Sequence, residues 1–285
     1  MMELLWLPFT LGTIFLCGVG QVLAKESRSG VSSADYTLLF GLHVFLMFTI
    51  YWVLFHESAS FPIGTWLWAA FAASLSGFAY VVYYESMKHG KISIVGTVAG
   101  AYAPWTVILA LVFLGESLSV FEMAAIALTV LSVLLFTYAS GNGEGQRTER
   151  KGLILALCAF FLWGTSAVMA KDVLGDIGNT NFLLVFGLVN PAIWTVYWLA
   201  STKGKLCING AGIGILELSL LFLALGGITL YVSFDNGPVS IVSPVTNLYP
   251  IVTVLVAKVR LKEKLTTRQY LALAMLFACI PLFAL

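Results

Sequence analysis

Ten long apolar segments follow one another along the chain, each close to the ~20 residues that a helix needs to cross a bilayer. Their approximate bounds are 4–24, 36–55, 65–87, 92–114, 119–139, 152–170, 182–200, 211–234, 239–257 and 267–285. Most charged residues lie between these segments rather than inside them. The pattern predicts an all-α integral membrane protein with ten transmembrane helices.

One polar linker divides these segments into two sets of five. It reads SGNGEGQRTERK and is rich in glycine and charge, which is typical of a flexible tether. The predicted organisation is therefore a first five-helix repeat over residues 1–139, the linker over 140–151 and a second five-helix repeat over 152–285.

The two halves also repeat each other in sequence. FLCGVGQVLAK (15–25) aligns with FLWGTSAVMAK (161–171). At a separation of 147 residues, HGKISIVGTVAGAYAPWTVILALVFLGESL (89–118) aligns with NGPVSIVSPVTNLYPIVTVLVAKVRLKEKL (236–265), and 13 of the 30 pairs are identical. Because each unit has an odd number of spans, the second copy must enter the membrane from the opposite side. The sequence thus predicts two inverted repeats, an arrangement typical of transporters with a midplane site.

Composition and charge narrow the choice of environment and partner. The chain of 285 residues is 60% hydrophobic and only 10% charged, more apolar than a soluble protein of this size. Its net charge of +1 provides no clustered basic face, so no nucleic-acid partner is expected. Its four cysteines form no CxxC pair and no metal-ligand cluster with histidine, and three of them lie inside apolar segments, which predicts small buried thiols there.

Positive charge is strongly asymmetric across the predicted membrane. Fourteen of the fifteen Lys and Arg residues lie in the loops after odd-numbered segments, and only Lys171 lies on the other side. The positive-inside rule then predicts cytoplasmic odd-numbered loops and both termini outside, in a cell membrane. Lys171 is the repeat mate of Lys25, and each can counter the negative end of its own helix or simply snorkel to the interface.

No catalytic constellation is present in the sequence. It contains no HExxH, GxSxG or P-loop motif and no paired intramembrane carboxylates, so we expect neither an enzyme nor a cofactor or metal site. Glu116 and its repeat mate Glu263 are expected to fix the turns before the fifth and tenth segments. Glu122 and Glu217 lie within about two turns of an interface, where solvated or capping roles are usual.

His43 is the one ionisable residue near the centre of a segment, and its repeat mate is Asn190. Ionisable groups at this depth usually face a cavity or a partner, although a neutral histidine bonded to a neighbouring helix is an equal alternative. The ordinary pKa of histidine suits proton coupling, which makes the proton a candidate coupling ion.

The stretch SPVTNLYP (243–250) places two prolines inside an apolar segment. Proline frees backbone carbonyls, which in lipid must be satisfied by protein, water or ligand, so the segment is either bent against a cavity or kinked for packing. Thr246, Asn247 and Tyr249 between or beside the prolines favour a cavity. Tyr249 is the repeat mate of Tyr102.

Aromatic residues provide the remaining candidates for the walls of a cavity. Tyr80 lies deeper in its segment than Tyr83 and Tyr84, which are close enough to the interface for an aromatic belt. Trp163 replaces Cys17 of the first repeat, so the two halves offer different walls. The predicted substrate-binding residues are His43, Tyr80, Tyr102, Trp163, Asn190, Thr246, Asn247 and Tyr249.

These segments resemble ten-helix members of the drug/metabolite transporter superfamily of the EamA type. The resemblance rests on FLWGTSAVMAK and on the two aligned stretches GKISIVGTVAGAYAPWTVILALVFLGESLS and GPVSIVSPVTNLYPIVTVLVAKVRLKEKLT. It implies a central cavity walled by segments 1–4 and 6–9, with segments 5 and 10 peripheral. Small relatives exchange protons through a glutamate in the first helix, which FLCGVGQVLAK lacks, and ten-helix relatives have cytoplasmic termini, opposite to the charge asymmetry.

The expected function is secondary transport of a small organic metabolite by alternating access through a midplane cavity. An aromatic and sparsely charged cavity suits an amino acid or an amine, with export as the expected direction. Sugar or nucleoside uptake on the same fold and a non-transporting membrane receptor are the alternatives. The expected partners are the small-molecule substrate, the lipid bilayer and a proton, for a monomer or a homodimer.

Overall fold

The computed structural model describes residues 5–27, 31–56, 60–89, 95, 98–140, 150–208, 212–260 and 267–282. Its helices are α1 (Trp6–Ser27), α2 (Ser33–Phe55), α3 (Ile63–Lys88), α4 (Ala103–Phe113), α5 (Val120–Ser140), α6 (Arg150–Thr202), α7 (Ile213–Asn236), α8 (Val239–Thr246), α9 (Tyr249–Arg260) and α10 (Thr267–Leu282). Extended pairing within the described residues is limited to one bridge between Val31 and Ile208. The predicted all-α class is confirmed.

Six stretches of the described chain are long and apolar enough to cross a bilayer. They are Trp6–Ala24, Ser33–Phe55, Ile63–Lys88, Arg150–Thr202, Ile213–Asn236 and Val239–Arg260. Large apolar side chains such as Phe45 and Val112 are exposed on the outer surface, as expected for a surface covered by lipid. The membrane-spanning class is supported by these helices, and the count of ten remains a prediction.

A glycine divides α6 into two arms. Gly178 has φ 73° and ψ 167°, a left-handed conformation that glycine adopts at little cost because it has no Cβ. The arms, α6a (150–177) and α6b (179–202), correspond to the predicted sixth and seventh segments. The predicted linker lies mainly outside the described residues, and its last two residues already belong to α6a.

The predicted ninth segment is broken in the middle. It consists of α8 and α9, separated by Asn247 and Leu248. The Asn247 amide donates to the Ser243 carbonyl at 3.2 Å and the Leu248 amide donates to the Val245 carbonyl at 3.0 Å. Pro250 has no amide hydrogen to continue this ladder, so the chain restarts as a second helix at Tyr249.

Contacts at the end of α7 show that the halves are inverted. The Ser233 hydroxyl donates to the carbonyl of Trp6, the first residue of α1, at 3.2 Å. The Lys171 ammonium, in the last third of α6a, donates to the Phe234 carbonyl at 2.7 Å. The start of α1 and the final part of α6a therefore lie at the same end of the molecule, so these two repeat mates run antiparallel.

The same contacts recur across the interface between the halves. The Thr253 hydroxyl of α9 donates to the Gly18 carbonyl of α1 at 3.2 Å. Its repeat mate, Thr106 of α4, donates to the Gly164 carbonyl of α6a at 3.4 Å. Both glycines permit close approach, since a Cβ on Gly18 would lie 2.6 Å from the Cβ of Val252. Each half thus packs its fourth segment on the first helix of the other half.

A second reciprocal pair lies one helix further out. The Ser219 hydroxyl of α7 donates to the Gly20 carbonyl of α1 at 2.9 Å, and the Ser166 hydroxyl of α6a donates to the Ala72 carbonyl of α3 at 3.2 Å. The α5 and α10 helices pack chiefly on each other, outside this core. Their position agrees with the peripheral fifth and tenth segments that the resemblance implies.

Two charged residues satisfy helix ends at what we call the acidic end of the molecule, where α1 starts and α7 ends. The Glu116 carboxylate accepts from the amides of Val239 at 2.9 Å and Ser240 at 2.8 Å, at the positive start of α8. Lys171 binds the last carbonyls of α7. The expected roles were wrong in detail, because Lys171 counters α7 rather than its own helix and Glu116 caps α8 rather than only the turn before α5.

Other expected roles for charged residues have different outcomes. Glu122 caps its own helix, where its carboxylate accepts from the Ser119 amide at 2.6 Å, as predicted. Glu263 and the side chain of Lys25 lie outside the described residues. At the opposite end, which we call the basic end, the Arg260 guanidinium donates to Glu26 at 2.6 Å.

Cys207 provides a test of the predicted orientation. It is exposed at the basic end, between α6 and α7. In a variant that keeps only this cysteine, we expect an impermeant maleimide to label the protein in permeabilised cells and not in intact cells, because the positive-inside rule places this loop in the cytoplasm. A Cys207→Ser variant is the control, and labelling of intact cells would contradict the orientation.

Candidate functional site

A group of aromatic rings lies between the two halves, with Trp163 of α6a at its centre. The centroid of its ring lies 5.1 Å from that of Tyr80, 5.2 Å from that of Tyr83 and 6.0 Å from that of Tyr102. Trp163 and Tyr80 meet edge to face at 83°, a favourable geometry for aromatic pairs. Three predicted site residues from three separate helical segments thus meet, and each remains half-buried rather than fully enclosed.

Tyrosine hydroxyls from both halves converge beside these rings. Tyr80 lies near Tyr102 and Tyr231, and Tyr102 lies near Tyr249. Tyr231 also lies beside Ser76. Tyr80 and Tyr102 come from the first half and Tyr231 and Tyr249 from the second, so the site is shared. We call Trp163 and these four tyrosines the aromatic site.

Tyr231 was absent from the predicted site. It is the repeat mate of Tyr84, and it is buried, with its ring centroid 5.1 Å from those of Phe182 and Phe186. The inverted repeat could have indicated Tyr231, because its mate Tyr84 lies on the same helix face as Tyr80. Tyr84 stays within 6.4 Å of Tyr80, so both mates extend the aromatic site toward opposite ends of the molecule.

Unpaired polar groups follow one face of α8 as far as the helix break. The hydroxyls of Ser240 and Ser243 are buried and have no hydrogen-bond partner among the described residues. Asn247, one turn further along the same face, is 7% exposed, and the described part of the chain provides no partner for its carboxamide. Thr246 differs, because its hydroxyl donates to the Ser243 carbonyl at 2.8 Å. Thr246 is thus bonded within its helix, whereas the Asn247 carboxamide makes no hydrogen bond to any described residue.

Asn190 joins two helices instead of facing an open space. It is completely buried, and its amide nitrogen donates to the Ala73 carbonyl of α3 at 3.1 Å and to the Phe186 carbonyl of its own helix at 3.3 Å. A Cβ on Gly77 would lie 2.4 Å from the Asn190 side-chain oxygen. The side chain therefore holds α3 close to α6b.

Trp194, one turn beyond Asn190, connects this contact to the aromatic site. Its indole nitrogen donates to the Gly77 carbonyl at 3.2 Å, and its ring centroid lies 5.2 Å from that of Tyr80. Asn190 and Trp194 thus support the wall that carries Tyr80. A direct contact between Asn190 and substrate remains a prediction.

His43 lies away from the aromatic site, on the outer side of α2. Its Nε2 is 2.8 Å from an oxygen of Glu217 on α7, and its Nδ1 is 2.9 Å from the Leu39 carbonyl. The neighbouring side chains of Leu42 and Leu46 are exposed toward lipid. His43 and Asn190 were expected to form two walls of one site, and the structure does not bring them together. Glu217 was expected to be solvated or to cap a helix, and it pairs with His43.

No charged side chain interacts with the aromatic site among the described residues. The electrostatic partners of its hydroxyls are other tyrosines, Cys17 and Ser76. Charged groups lie instead near the ends, as with Glu85, which accepts from Tyr197 at 3.1 Å. No cluster of three metal-ligating side chains occurs within the described ranges. The site can therefore offer π faces and hydroxyls.

A shallow groove of about 450 Å³ between α4 and α5 offers a different environment. Its lining is apolar: Pro104, Val107, Leu111, Leu118, Met123, Ile126, Ala127, Val130, Leu131 and Leu134. With no polar group to orient a solute, and with α5 at the periphery, this groove suits a lipid chain. The aromatic site, where both halves converge, is the better candidate for a metabolite.

The different contacts of two asparagines lead to opposite expectations for their variants. Asn247→Leu should reduce transport about tenfold or more, the loss expected for one substrate hydrogen bond of ~1.5 kcal/mol, with little change in thermal stability. Asn190→Ala should lower the free energy of unfolding by roughly 0.6–1.7 kcal/mol, because it removes an interhelical bond, and should reduce transport less than Asn247→Leu does. Purified variants would be compared by thermal unfolding and by flux in vesicles, and normal flux in Asn247→Leu would exclude it from the site.

Comparison with known proteins agrees with this architecture. The family model described as the EamA-like transporter family matches residues 4–138 and again residues 150–285. No curated protein matches the chain. One solved crystal structure aligns over 98% of this chain and 98% of its own with a TM-score of 0.82, and its 14% sequence identity shows likeness of fold alone. Because the family model covers both halves, the chain belongs to the EamA-like transporter family and is a multi-pass membrane transporter of the drug/metabolite transporter type.

Proposed function

We propose that this transporter moves a small organic amine or a neutral amino acid by alternating access, with the aromatic site as its binding site. The observation that carries the proposal is the composition of the site: five aromatic side chains from both halves and no charged partner among the described residues. Export is the expected direction, and the bilayer is the expected surrounding.

Aromatic faces without a carboxylate favour a cation of low charge density. An ammonium group over tyrosine or tryptophan rings is attracted by about 0.5–2 kcal/mol, more where water is excluded. Trp163 and Tyr80 meet edge to face and are both half-buried, so parts of their rings remain accessible. A quaternary or primary amine fits this environment without a buried counter-ion.

The broken helix supports binding of the carboxylate of an amino acid as well. Tyr249 begins α9, and the first turn of a helix carries partial positive charge. Transporters of inverted-repeat architecture use such half-helix starts to hold anionic groups. The Asn247 carboxamide and the tyrosine hydroxyls add hydrogen bonds, so a zwitterion could engage both the rings and the helix break.

The reciprocal packing of the halves supports alternating access. The bonds of Thr106 to Gly164 and of Thr253 to Gly18 are equivalent, and each joins one half to the other. A rotation of one half against the other that loosens their contacts at one end of the molecule can therefore be matched by an equivalent rotation that loosens the contacts at the other end. The aromatic site lies between these contacts and would open to each side in turn.

A second candidate is a sugar or nucleoside transporter. The row of unpaired polar groups on α8, from Ser240 to Asn247, favours it, because hydroxylated rings stack on aromatic side chains and bind amides and hydroxyls. Such a substrate would depend on the α8 face more than on Trp163. The two candidates therefore separate by substrate and by variant.

Counterflow in proteoliposomes tests the proposal. We would use phenyltrimethylammonium, phenylalanine, glucose and uridine, and we expect exchange of the first or second probe. Trp163→Leu should raise the phenyltrimethylammonium concentration that gives half-maximal exchange about tenfold, because the variant loses a cation–π contact of ~1–2 kcal/mol. Trp68→Leu is the matched control, because Trp68 is 44% exposed and bonds Asp172 near the acidic end.

Three outcomes would contradict the proposal. Exchange of glucose or uridine alone would favour the second candidate. Binding of a probe without exchange would favour a membrane receptor. If Trp163→Leu leaves the concentration for half-maximal exchange unchanged, Trp163 does not bind the substrate.

A further inference from the structure

The pair formed by His43 and Glu217 contains a proton that the geometry locates. The Leu39 carbonyl can only accept a hydrogen bond, so His43 Nδ1, 2.9 Å away, must carry a hydrogen. His43 Nε2 and a Glu217 oxygen lie 2.8 Å apart, and two bare lone pairs would repel at that distance. One further proton must therefore lie between Nε2 and the carboxylate, held by either group.

The surroundings of the pair make this proton significant. The His43 side chain is 20% exposed and that of Glu217 is 53% exposed, next to side chains that face lipid. A lone carboxylate beside hydrocarbon is costly, whereas an ion pair or a neutral acid and imidazole carries no net charge. The bound proton thus leaves the pair neutral, and its loss leaves one net negative charge beside the lipid-facing side chains of α2.

The pair also joins the two halves. His43 lies on α2 of the first half and Glu217 on α7 of the second. Two further contacts complete this seam: the Tyr36 hydroxyl lies 2.9 Å from the Ser219 hydroxyl, and Phe48 packs against Gly227, where a Cβ would lie 3.1 Å from its ring. Of these contacts, the pair of His43 and Glu217 is the one whose attraction depends on a mobile proton.

No other charged group competes for this proton among the described residues. On α2, the nearest carboxylate is Asp35, which accepts from the Trp198 indole at 2.8 Å and from Ser32. Tyr36, on the same seam, bonds Ser219. Pro191 and Trp194 of α6b pack against Gly41, on the opposite side of α2 from His43, and Gly20 of α1 binds Ser219, on the opposite side of α7 from Glu217.

We propose that His43 and Glu217 together bind the proton that drives transport. The inference rests on the proposed transport function and adds its coupling ion and the site where that ion binds. When the proton leaves, the imidazole lone pair faces a carboxylate and the seam between α2 and α7 loosens. Because α1 packs on the other side of α7 and carries Cys17 beside the aromatic site, this change can alter substrate access.

Proteoliposomes with a clamped membrane voltage separate coupling from transport. Phenyltrimethylammonium is the probe, since its permanent charge prevents passive flux as a neutral base. Wild-type protein should exchange the probe and accumulate it several-fold in response to a pH gradient. His43→Gln and Glu217→Gln should still exchange it and lose the response to the gradient, whereas Glu217→Asp, which keeps a carboxylate, should retain that response.

The outcomes distinguish the inference from the proposed function. Absence of exchange by the wild-type protein would count against phenyltrimethylammonium transport itself. Two results would contradict the proton site at His43 and Glu217. One is exchange by the wild-type protein without any response to the pH gradient, and the other is a normal response in either Gln variant.

A chemical test on folded protein covers the case in which a Gln variant is unstable. The chain has three histidines, His43, His56 and His89, so a His56→Gln/His89→Gln variant leaves His43 alone. Carbethoxylation of its imidazole should abolish the response to the gradient and spare exchange, and hydroxylamine should restore the response. An unchanged response after complete modification would contradict the inference.

Discussion

A polar group placed in hydrocarbon needs a partner within the protein, and in this chain many of these partners come from the opposite half. Gly18 and Gly164 have their carbonyls bound by threonines of the other repeat, at 3.2 Å and 3.4 Å. Glu116 of the first half satisfies the first amides of α8 in the second. Neither half could meet this requirement alone, so the interface between the halves is the core of the fold.

The same constraint explains where the site lies. Breaking the ninth segment at Asn247 frees polar groups at mid-depth, and these are tolerable only where protein or ligand surrounds them. The aromatic site occupies that position, with rings of α3 and α6a and hydroxylated residues of α7 and α9 around it. Charge is kept near the ends of the helices, apart from the His43–Glu217 pair at the lipid-facing seam.

Much of this architecture could be predicted from the repeat. An offset of 147 residues pairs Thr106 with Thr253 and Tyr102 with Tyr249. Depth within a segment singled out Tyr80, and replacement of Cys17 in the repeat singled out Trp163. Glu217 could not be placed in this way, because its partner His43 belongs to a different helix and to a position that the repeat pairs with Asn190. The role of Asn190 was missed for the same reason: its amide binds the Ala73 carbonyl because α3 and α6b approach closely at Gly77, and this is a property of packing between helices.

Alternating access by rocking of the two halves is tested most directly by measuring, in one protein sample, the distance between the halves at each end of the molecule. Spin labels on Ser117 and Asn236 report on the acidic end, and labels on Lys88 and Arg260 report on the basic end; each pair joins the two halves at exposed positions. Inverted halves that rock about a shared site predict that phenyltrimethylammonium or a change of pH shortens one distance and lengthens the other. Two distances that stay fixed, or that change in the same direction, would contradict the account.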